Sequence, residues 1–310
     1  MLEFIFGVLV GTALVIYGVD LMSEGLERAA GPSLQGILQS LTGKLWSAFL
    51  VGTFVTAAIQ SSTAVTLMTV NFVQAGLMTL RQSIGIIYGA NIGTTITAQL
   101  MAFALTDLAL PLLAAGLITR SLAKREWSKN LGVAMMGLGL LFLGLKTLSG
   151  GVPFIEQSPA ARQMFTVLSG NPVTALVAGM ITTILVQSSS ATVGLTIILA
   201  QSGIIDLRAA IALTLGDNIG TCATAQMASI HGSVAARRTA WAHTLYNVIG
   251  SLIALLMIAP FSGLMSLTSA DLGRQVANTH TVFNLLSAVV FYPMTSCYVR
   301  LLEWWVPDRH

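Results

Sequence analysis

Apolar runs follow one another along the whole chain, separated by short polar knots rather than by any polar stretch of domain size. The candidate segments are 4–22, 45–59, 62–79, 83–105, 107–120, 131–148, 173–187, 189–206, 209–230, 240–260 and 281–301. A perpendicular membrane span needs about 20 residues, and several of these are shorter. The short ones come in pairs, 45–59 with 62–79 and 173–187 with 189–206, and each pair meets at a polar knot. Two short apolar arms joined at a polar tip predict a re-entrant helical hairpin or a broken helix.

Composition gives this pattern a location. The chain is 55% hydrophobic and 9% charged over 310 residues, with a mean hydropathy of +0.81. A soluble domain is about 25% charged. Here 15 basic and 12 acidic residues, 27 in all, are too few to coat a water-soluble globule of this size. That excludes a cytosolic enzyme, a secreted domain and a disordered chain, and predicts an all-α polytopic membrane protein in the lipid bilayer. The net charge of +3 does not point to nucleic acid, because the positive-inside rule accounts for it. Cys222 and Cys297 lie in apolar stretches and suggest no disulfide framework. The N-terminus has no basic leader region or small-residue cleavage site and reads as a retained first helix. There is no Gly-rich phosphate loop, zinc-type Cys/His spacing or nucleophile elbow, so no cofactor and no catalytic residue is expected.

If each hairpin returns to the side it entered from, the basic residues sort unevenly. Arg28, Lys44, Arg81, Arg120, Lys124, Arg125, Lys129, Arg237, Arg238, Arg300 and Arg309 share one side. Lys146, Arg162, Arg208 and Arg274 share the other. The asymmetry predicts N-terminus out and C-terminus cytoplasmic, in the cell's inner membrane.

The chain also repeats itself. Residues 52–99 align with 179–226 at a constant offset of 127, without a gap, and twenty of 48 positions are identical. The shared strings are Gln60-Ser61-Ser62 with Gln187-Ser188-Ser189, and Asn91-Ile92-Gly93-Thr94 with Asn218-Ile219-Gly220-Thr221. The preceding helices match at offset 126, where Gly11 and Gly18 fall on Gly137 and Gly144, and Asp20 falls on Lys146. On the predicted orientation, 4–22 and 131–148 run in opposite directions. This is the inverted-repeat architecture of many secondary transporters, whose site lies at the repeat interface.

The polar strings have a definite chemistry. Hydroxyls at a helix start cap it and leave N–H groups and the positive end of the dipole facing whatever binds there. Two such tips face to face predict a neutral, donor-rich anion cage. The side-chain carbonyls of Gln60 and Gln187, with neighbouring hydroxyls, can ligate a hard cation such as Na⁺. Glycines around Asn91 and Asn218 predict local unwinding, which frees carbonyls that must line a cavity or meet a ligand. Asp217 has Ala90 as its mate and breaks the symmetry; an ionisable residue there is a functional candidate. A single serine in a membrane helix is explained by packing, but packing alone does not explain the same polar string at the same place twice.

Two further features stand apart. Asp20 and Lys146 read as helix-end charges that reach the interface, in preference to a buried pair. His243 and Asn247 are spaced four apart, and so are His280 and Asn284. That spacing fits interhelical hydrogen bonds, with a proton- or substrate-sensing role as the alternative. His231 and His310 carry no signal.

The doubled Gln-Ser-Ser-(Ser/Thr), each followed by Gly-x-Asn-Ile-Gly-Thr, resembles the type II sodium/phosphate cotransporters and their bacterial relatives. The resemblance covers about residues 4–300. It implies Na⁺-coupled symport of inorganic phosphate by alternating access. By position it implies a phosphate site of Ser61, Ser62, Thr63, Ser188, Ser189 and Ser190 with Asn91 and Asn218. Sodium is expected at Gln60, Gln187, Thr94, Thr95, Thr221 and Asp217, of which Thr95 and Asp217 are expected from their own chemistry and not from the resemblance. Thr63 replaces the usual serine but keeps the hydroxyl. Some relatives carry a cytosolic regulatory domain after the membrane part; this chain reads as the membrane core, so such regulation would need a separate partner. A homo-oligomer is compatible with this reading. The expected organisation is a first repeat at 1–120, a basic cytoplasmic loop at 121–130, a second repeat at 131–260, and a C-terminal helix with a short tail at 261–310. Three other functions stay open: a phosphate exporter or other oxyanion carrier, an intramembrane hydrolase using Ser188–Ser190 with His243 or His280, and a structural or receptor subunit.

Overall fold

The computed structural model describes residues 2–31, 33–40, 42–103 and 105–308; Arg309 and His310 lie outside them. Among the described residues every regular element is helical. The order begins with α1 (Leu2–Ala30), α2 (Ser33–Ser40), α3 (Leu45–Ile59), α4 (Ser62–Gln74), α5 (Leu80–Gly93) and α6 (Thr95–Ala102). A single 3-10 turn at Thr106–Leu108 leads to α7 (Ala109–Leu122), α8 (Glu126–Gln157) and α9 (Pro159–Gly170). Then come α10 (Pro172–Val186), α11 (Ser189–Gln201), α12 (Leu207–Gly220), α13 (Cys222–Ser229), α14 (Val234–Leu256), α15 (Ile258–Ser266) and α16 (Leu272–Trp305).

The sequence repeat is reproduced element by element. The run α3 to α6 has helices of 15, 13, 14 and 8 residues, and α10 to α13 has the same four lengths. Equivalent residues begin and end them. Thr79 caps α5 by accepting from the Gln82 amide, and its equivalent Asp206 caps α12 by accepting from the Ala209 amide. Gly76 and Gly203, both at positive φ, end α4 and α11, the left-handed turn that glycine makes without a Cβ penalty.

The glycines around the Asn strings are used for approach between helices. A Cβ on Gly89 would sit 2.1 Å from the Phe49 carbonyl, and one on Gly216 would sit 2.0 Å from the Leu176 carbonyl. Gly52 and Gly179 come almost as near the Ile86 and Leu213 carbonyls. These contacts seat α3 on α5 and α10 on α12 with backbones nearly touching. The expected unwinding is correspondingly slight. Only Thr94 and Thr221 interrupt the helices; both keep helical angles, and their amides still donate to Ala90 and Asp217.

The two leading helices pack antiparallel. Gly11 abuts Leu148, Gly18 abuts Leu141 and Gly25 abuts Ala134, so numbering rises on α1 as it falls on α8. The contacts also exchange under the repeat. Gly18 against Leu141 maps onto Gly144 against Val15, and Gly11 against Leu148 maps onto Gly137 against Met22.

The C-terminal helices α14 and α16 brace the copies against each other. His243 Nε2 lies 3.3 Å from Asn91 Oδ1 of the first copy, while the adjacent Thr244 accepts from Gln226 Nε2 of the second at 2.7 Å. On α16 the roles swap: His280 Nε2 lies 3.3 Å from Asn218 Oδ1, and Thr281 accepts from Gln99 Nε2 at 3.1 Å. The paired histidines therefore form interhelical bonds. An aromatic group of Tyr88, Tyr246, Phe291 and Tyr298 fills the space between α5, α14 and α16.

Among the described residues, four helices, at Leu9–Ala30, Glu126–Pro153, Val234–Leu256 and Leu272–Trp305, are long and apolar enough to cross a membrane, or up to six spans if two bent pairs each count as one. Large apolar side chains point outward, among them Phe54, Leu110, Leu185 and Leu256. Such a surface belongs against lipid, and the chain is a multi-pass membrane protein. Three short helices go beyond the apolar runs: α2, α9 and α15. The run 240–260 breaks at Met257. The C-terminal region at 261–310 holds the end of α15 as well as α16, because Asp271 caps a polar first turn at Leu272 that lies ahead of the apolar run.

Candidate substrate and ion site

Each tip is built by the same backbone trick. After α3 the chain turns through Gln60 at φ 56°, and after α10 through Gln187 at φ 59°. Among the described residues these are the two non-glycine positions with positive φ. A left-handed residue with a Cβ costs roughly 1–2 kcal/mol, and each glutamine side chain is tied down there. Its Nε2 donates to a carbonyl three residues back, Ala57 or Ile184. Its Oε1 accepts from a threonine on the short helix that follows, Thr97 at 2.6 Å or Thr224 at 3.2 Å. The next residue, Ser61 or Ser188, is the N-cap of α4 or α11 and accepts from the Ala64 or Ala191 amide.

The two tips open onto one cavity of about 270 Å³. At ~30 Å³ per molecule of liquid water, it has room for a tetrahedral oxyanion with ions or waters around it. Its wall holds Gln60, Ser61, Ser62, Thr63 and Thr94 from the first copy and Gln187, Ser188, Ser189 and Ser190 from the second. Among the described residues, no lysine or arginine lines it. What the wall could offer an anion is its hydroxyls and the N-terminal ends of α4 and α11.

The family model described as Na⁺/Pi-cotransporter matches residues 14–150 and 157–288, one stretch around each tip. The chain belongs to that family. It is 32% identical over 302 residues to the uncharacterized protein YqeW of Bacillus subtilis, covering 96% of this chain and 98% of that one. It is 31% identical over 300 residues to YjbB of Escherichia coli K12, provisionally described as an inorganic phosphate export protein. There it covers 96% of this chain but only 55% of the relative. A shorter stretch of 54 residues, 17% of this chain and 8% of the relative, is 43% identical to the sodium-dependent phosphate transport protein 2A of sheep. No solved structure matches.

Several residues expected in this cotransporter-family site stand away from the cavity wall. Asn91 donates to Asn247 at 3.1 Å and faces His243; Asn218 donates to the Thr214 carbonyl at 2.8 Å and faces His280. Thr95 and Thr221 turn their hydroxyls back onto the carbonyls of Ile92 and Asp217. Asp217 lies behind the second tip, 1% exposed, accepting from Thr183 at 2.9 Å.

The cavity wall also contains what the polar strings did not announce. Asp20, Ser23, Glu24 and Glu27 of α1 line it, and the Ser23 hydroxyl donates to the Gln60 carbonyl at 3.1 Å. The cage is therefore not neutral: three carboxylates face it, with Glu24 also paired to Arg28. Asp20, expected as a helix-end charge, is exposed and lines the cavity. Lys146, its positional mate, pairs instead with Asp107 at 3.3 Å on the surface. The signal was present in the sequence. Acids at 20, 24 and 27 fall on one face of a helix otherwise apolar enough to span a membrane, where an ionisable residue marks function.

Proposed function

We propose that this chain is a Na⁺-coupled symporter of inorganic phosphate that works by alternating access, with its two copies as inverted-topology repeats. The observation that carries the proposal is the convergence of both Gln-Ser-Ser tips, one from each copy, on a cavity with no basic residue in its wall among the described residues. Phosphate oxygens accept hydrogen bonds. Ser61, Ser62, Thr63, Ser188, Ser189 and Ser190 with two helix N-termini present donors from opposite sides. The wall's net charge is the wrong sign for an anion alone. At ~6 Å and an effective dielectric of ~20, each carboxylate near a phosphate charge costs about 3 kcal/mol. Co-bound Na⁺ offsets this, so phosphate and cation enter the site together. A loaded and an empty cavity then favour different conformations, which is the basis of coupling.

The antiparallel α1 and α8 and the exchange of contacts between copies support inverted repeats. The basic-residue asymmetry supports a cytoplasmic C-terminus in the inner membrane. A second reading, export, is favoured by one observation, the description given to the YjbB relatives. Cells hold Na⁺ low inside, so symport drives uptake, whereas an exporter must be uncoupled from Na⁺ or exchange against it.

The test is labelled phosphate flux in proteoliposomes under Na⁺ gradients imposed in each direction. Net flux should follow the Na⁺ gradient. Ser62→Ala and Ser189→Ala should each raise the half-saturating phosphate concentration by about tenfold, the size of a lost hydrogen bond to a charged group. Flux indifferent to Na⁺ removes symport and leaves export; flux of sulfate or arsenate in place of phosphate changes the cargo.

A further inference from the structure

Behind the second tip lies a buried carboxylate with an open valence. Asp217 is 1% exposed, Thr183 2% and Thr192 5%. Thr183 Oγ1 lies 2.9 Å from Asp217 Oδ1 and 3.2 Å from Thr192 Oγ1. Thr192 in turn donates to the Ser188 carbonyl at 3.1 Å, which belongs to the tip itself. Asp217 Oδ2 has no partner among the described residues. An uncompensated carboxylate in so buried a place is costly.

The fold does not require it. In the first copy the same three positions are Ala90, Thr56 and Val65. α5 nonetheless has the length of α12 and the same glycine approach to its partner helix. Thr56, left without either neighbour, has an unpartnered buried hydroxyl. Carboxylate and second hydroxyl are thus present together in one copy and absent together from the other, as expected of a ligand set rather than of packing.

We infer that Asp217, Thr183 and Thr192 form a monovalent-cation site, present in the second copy alone, which holds Na⁺ directly behind the phosphate-binding tip. The assignment rests on the Na⁺-coupled reading above and locates its cation. One carboxylate and two neutral hydroxyls balance a single positive charge. Carboxylate and hydroxyl oxygens are the ligands a hard cation takes. The chain through Thr192 to the Ser188 carbonyl links that cation to the tip that caps α11.

The test is thermal unfolding of the detergent-solubilised protein, titrated with NaCl against N-methylglucamine chloride at constant ionic strength and without phosphate. Na⁺ should raise the melting temperature of the wild type saturably. Asp217→Asn should raise the half-saturating Na⁺ concentration on the order of 10- to 100-fold, and Thr192→Val about tenfold. Thr192→Val installs the residue that the first copy already tolerates, so it decides the matter if Asp217→Asn does not fold. The pair Ala90→Asp with Val65→Thr should add a second Na⁺-dependent phase by completing the set around Thr56. Both single variants responding to Na⁺ as the wild type does would overturn the assignment. So would a wild type stabilised by acid but indifferent to Na⁺, which would make Asp217 a proton carrier. Tracer phosphate binding is measured separately: its absence from the wild type would sink the phosphate reading while leaving the Na⁺ titration to stand or fall alone.

Discussion

The first and second copies share the four helix lengths of α3–α6 and α10–α13 and the whole architecture of their tips, yet they differ in three places. Gln60 is 6% exposed beneath α1, whereas Gln187 is open. The leading helix of the first copy puts Asp20, Glu24 and Glu27 on the cavity, whereas Lys146 of α8 faces the surface toward Asp107. The second copy alone has the buried Asp217. What the copies share is scaffold and tip: close-packed glycines, left-handed glutamines and serine caps. What they do not share is charge. A strictly symmetric cage would bind an anion equally from both sides. Unequal cover and unequal charge make its two sides inequivalent.

The largest effect expected from breaking this comparison falls where the copies agree. Gly89→Val and Gly216→Val each drive a branched side chain into a carbonyl that a Cβ alone would approach to 2.1 or 2.0 Å. Each should destabilise by about 3 kcal/mol or more, at the upper end of overpacking. Loss of monodisperse protein from detergent extracts would report it. Equal damage in both copies is the expected outcome; a tolerant second copy would mean that α10 and α12 can separate where α3 and α5 cannot.

A smaller effect should divide the copies. Asn91 serves two partners on α14, His243 and Asn247, while Asn218 serves one residue of α16, His280, and a carbonyl of its own helix. Asn91→Ala strands more buried polar atoms and should cost about 2 kcal/mol, against about 1 kcal/mol for Asn218→Ala. Melting temperatures of the two variants check the order. A reversed order would mean that the α16 brace, not the α14 brace, holds the copies together.

Much of this was legible in the sequence because it repeats. A chance match does not preserve two polar strings at one offset, so the duplication, the tips and the all-helical membrane fold followed from residues alone. The misjudged glycines show the limit. Gly89 and Gly93 carry the same letters whether they unwind a helix or let another helix lie against it, and only the distance to Phe49 and Thr53 decides. The place of the α1 acids, Asp20 read as a helix-end charge and Glu24 and Glu27 passed over, was not foreseen for a related reason. Periodicity places Asp20, Glu24 and Glu27 on one face, but which face meets the tips depends on how α1 crosses α8, a contact more than a hundred residues apart in sequence. Asn91 and Asn218 were expected as ligands because they repeat. They repeat as braces, and their partners His243 and His280 were the clue, each four residues from an asparagine on its own helix.

The finest distinction lies at the tips themselves. Both glutamines have the left-handed conformation, which costs glycine nothing, so replacing either by glycine relieves about 1 kcal/mol of backbone strain. Each replacement also removes a side chain that accepts from a threonine. For Gln60 that bond is short, buried and part of the cover by α1, and its loss leaves the Thr97 hydroxyl unpaired in a dry site. For Gln187 the bond to Thr224 is longer and exposed, and water can replace it. Gln187→Gly should therefore raise the melting temperature slightly, while Gln60→Gly should leave it unchanged or lower it. Both should impair phosphate flux, because each removes a carbonyl from the cavity wall. If both substitutions stabilise equally, the two tips are equally wet, and the difference in cover between the copies does not set the energy of the two sides.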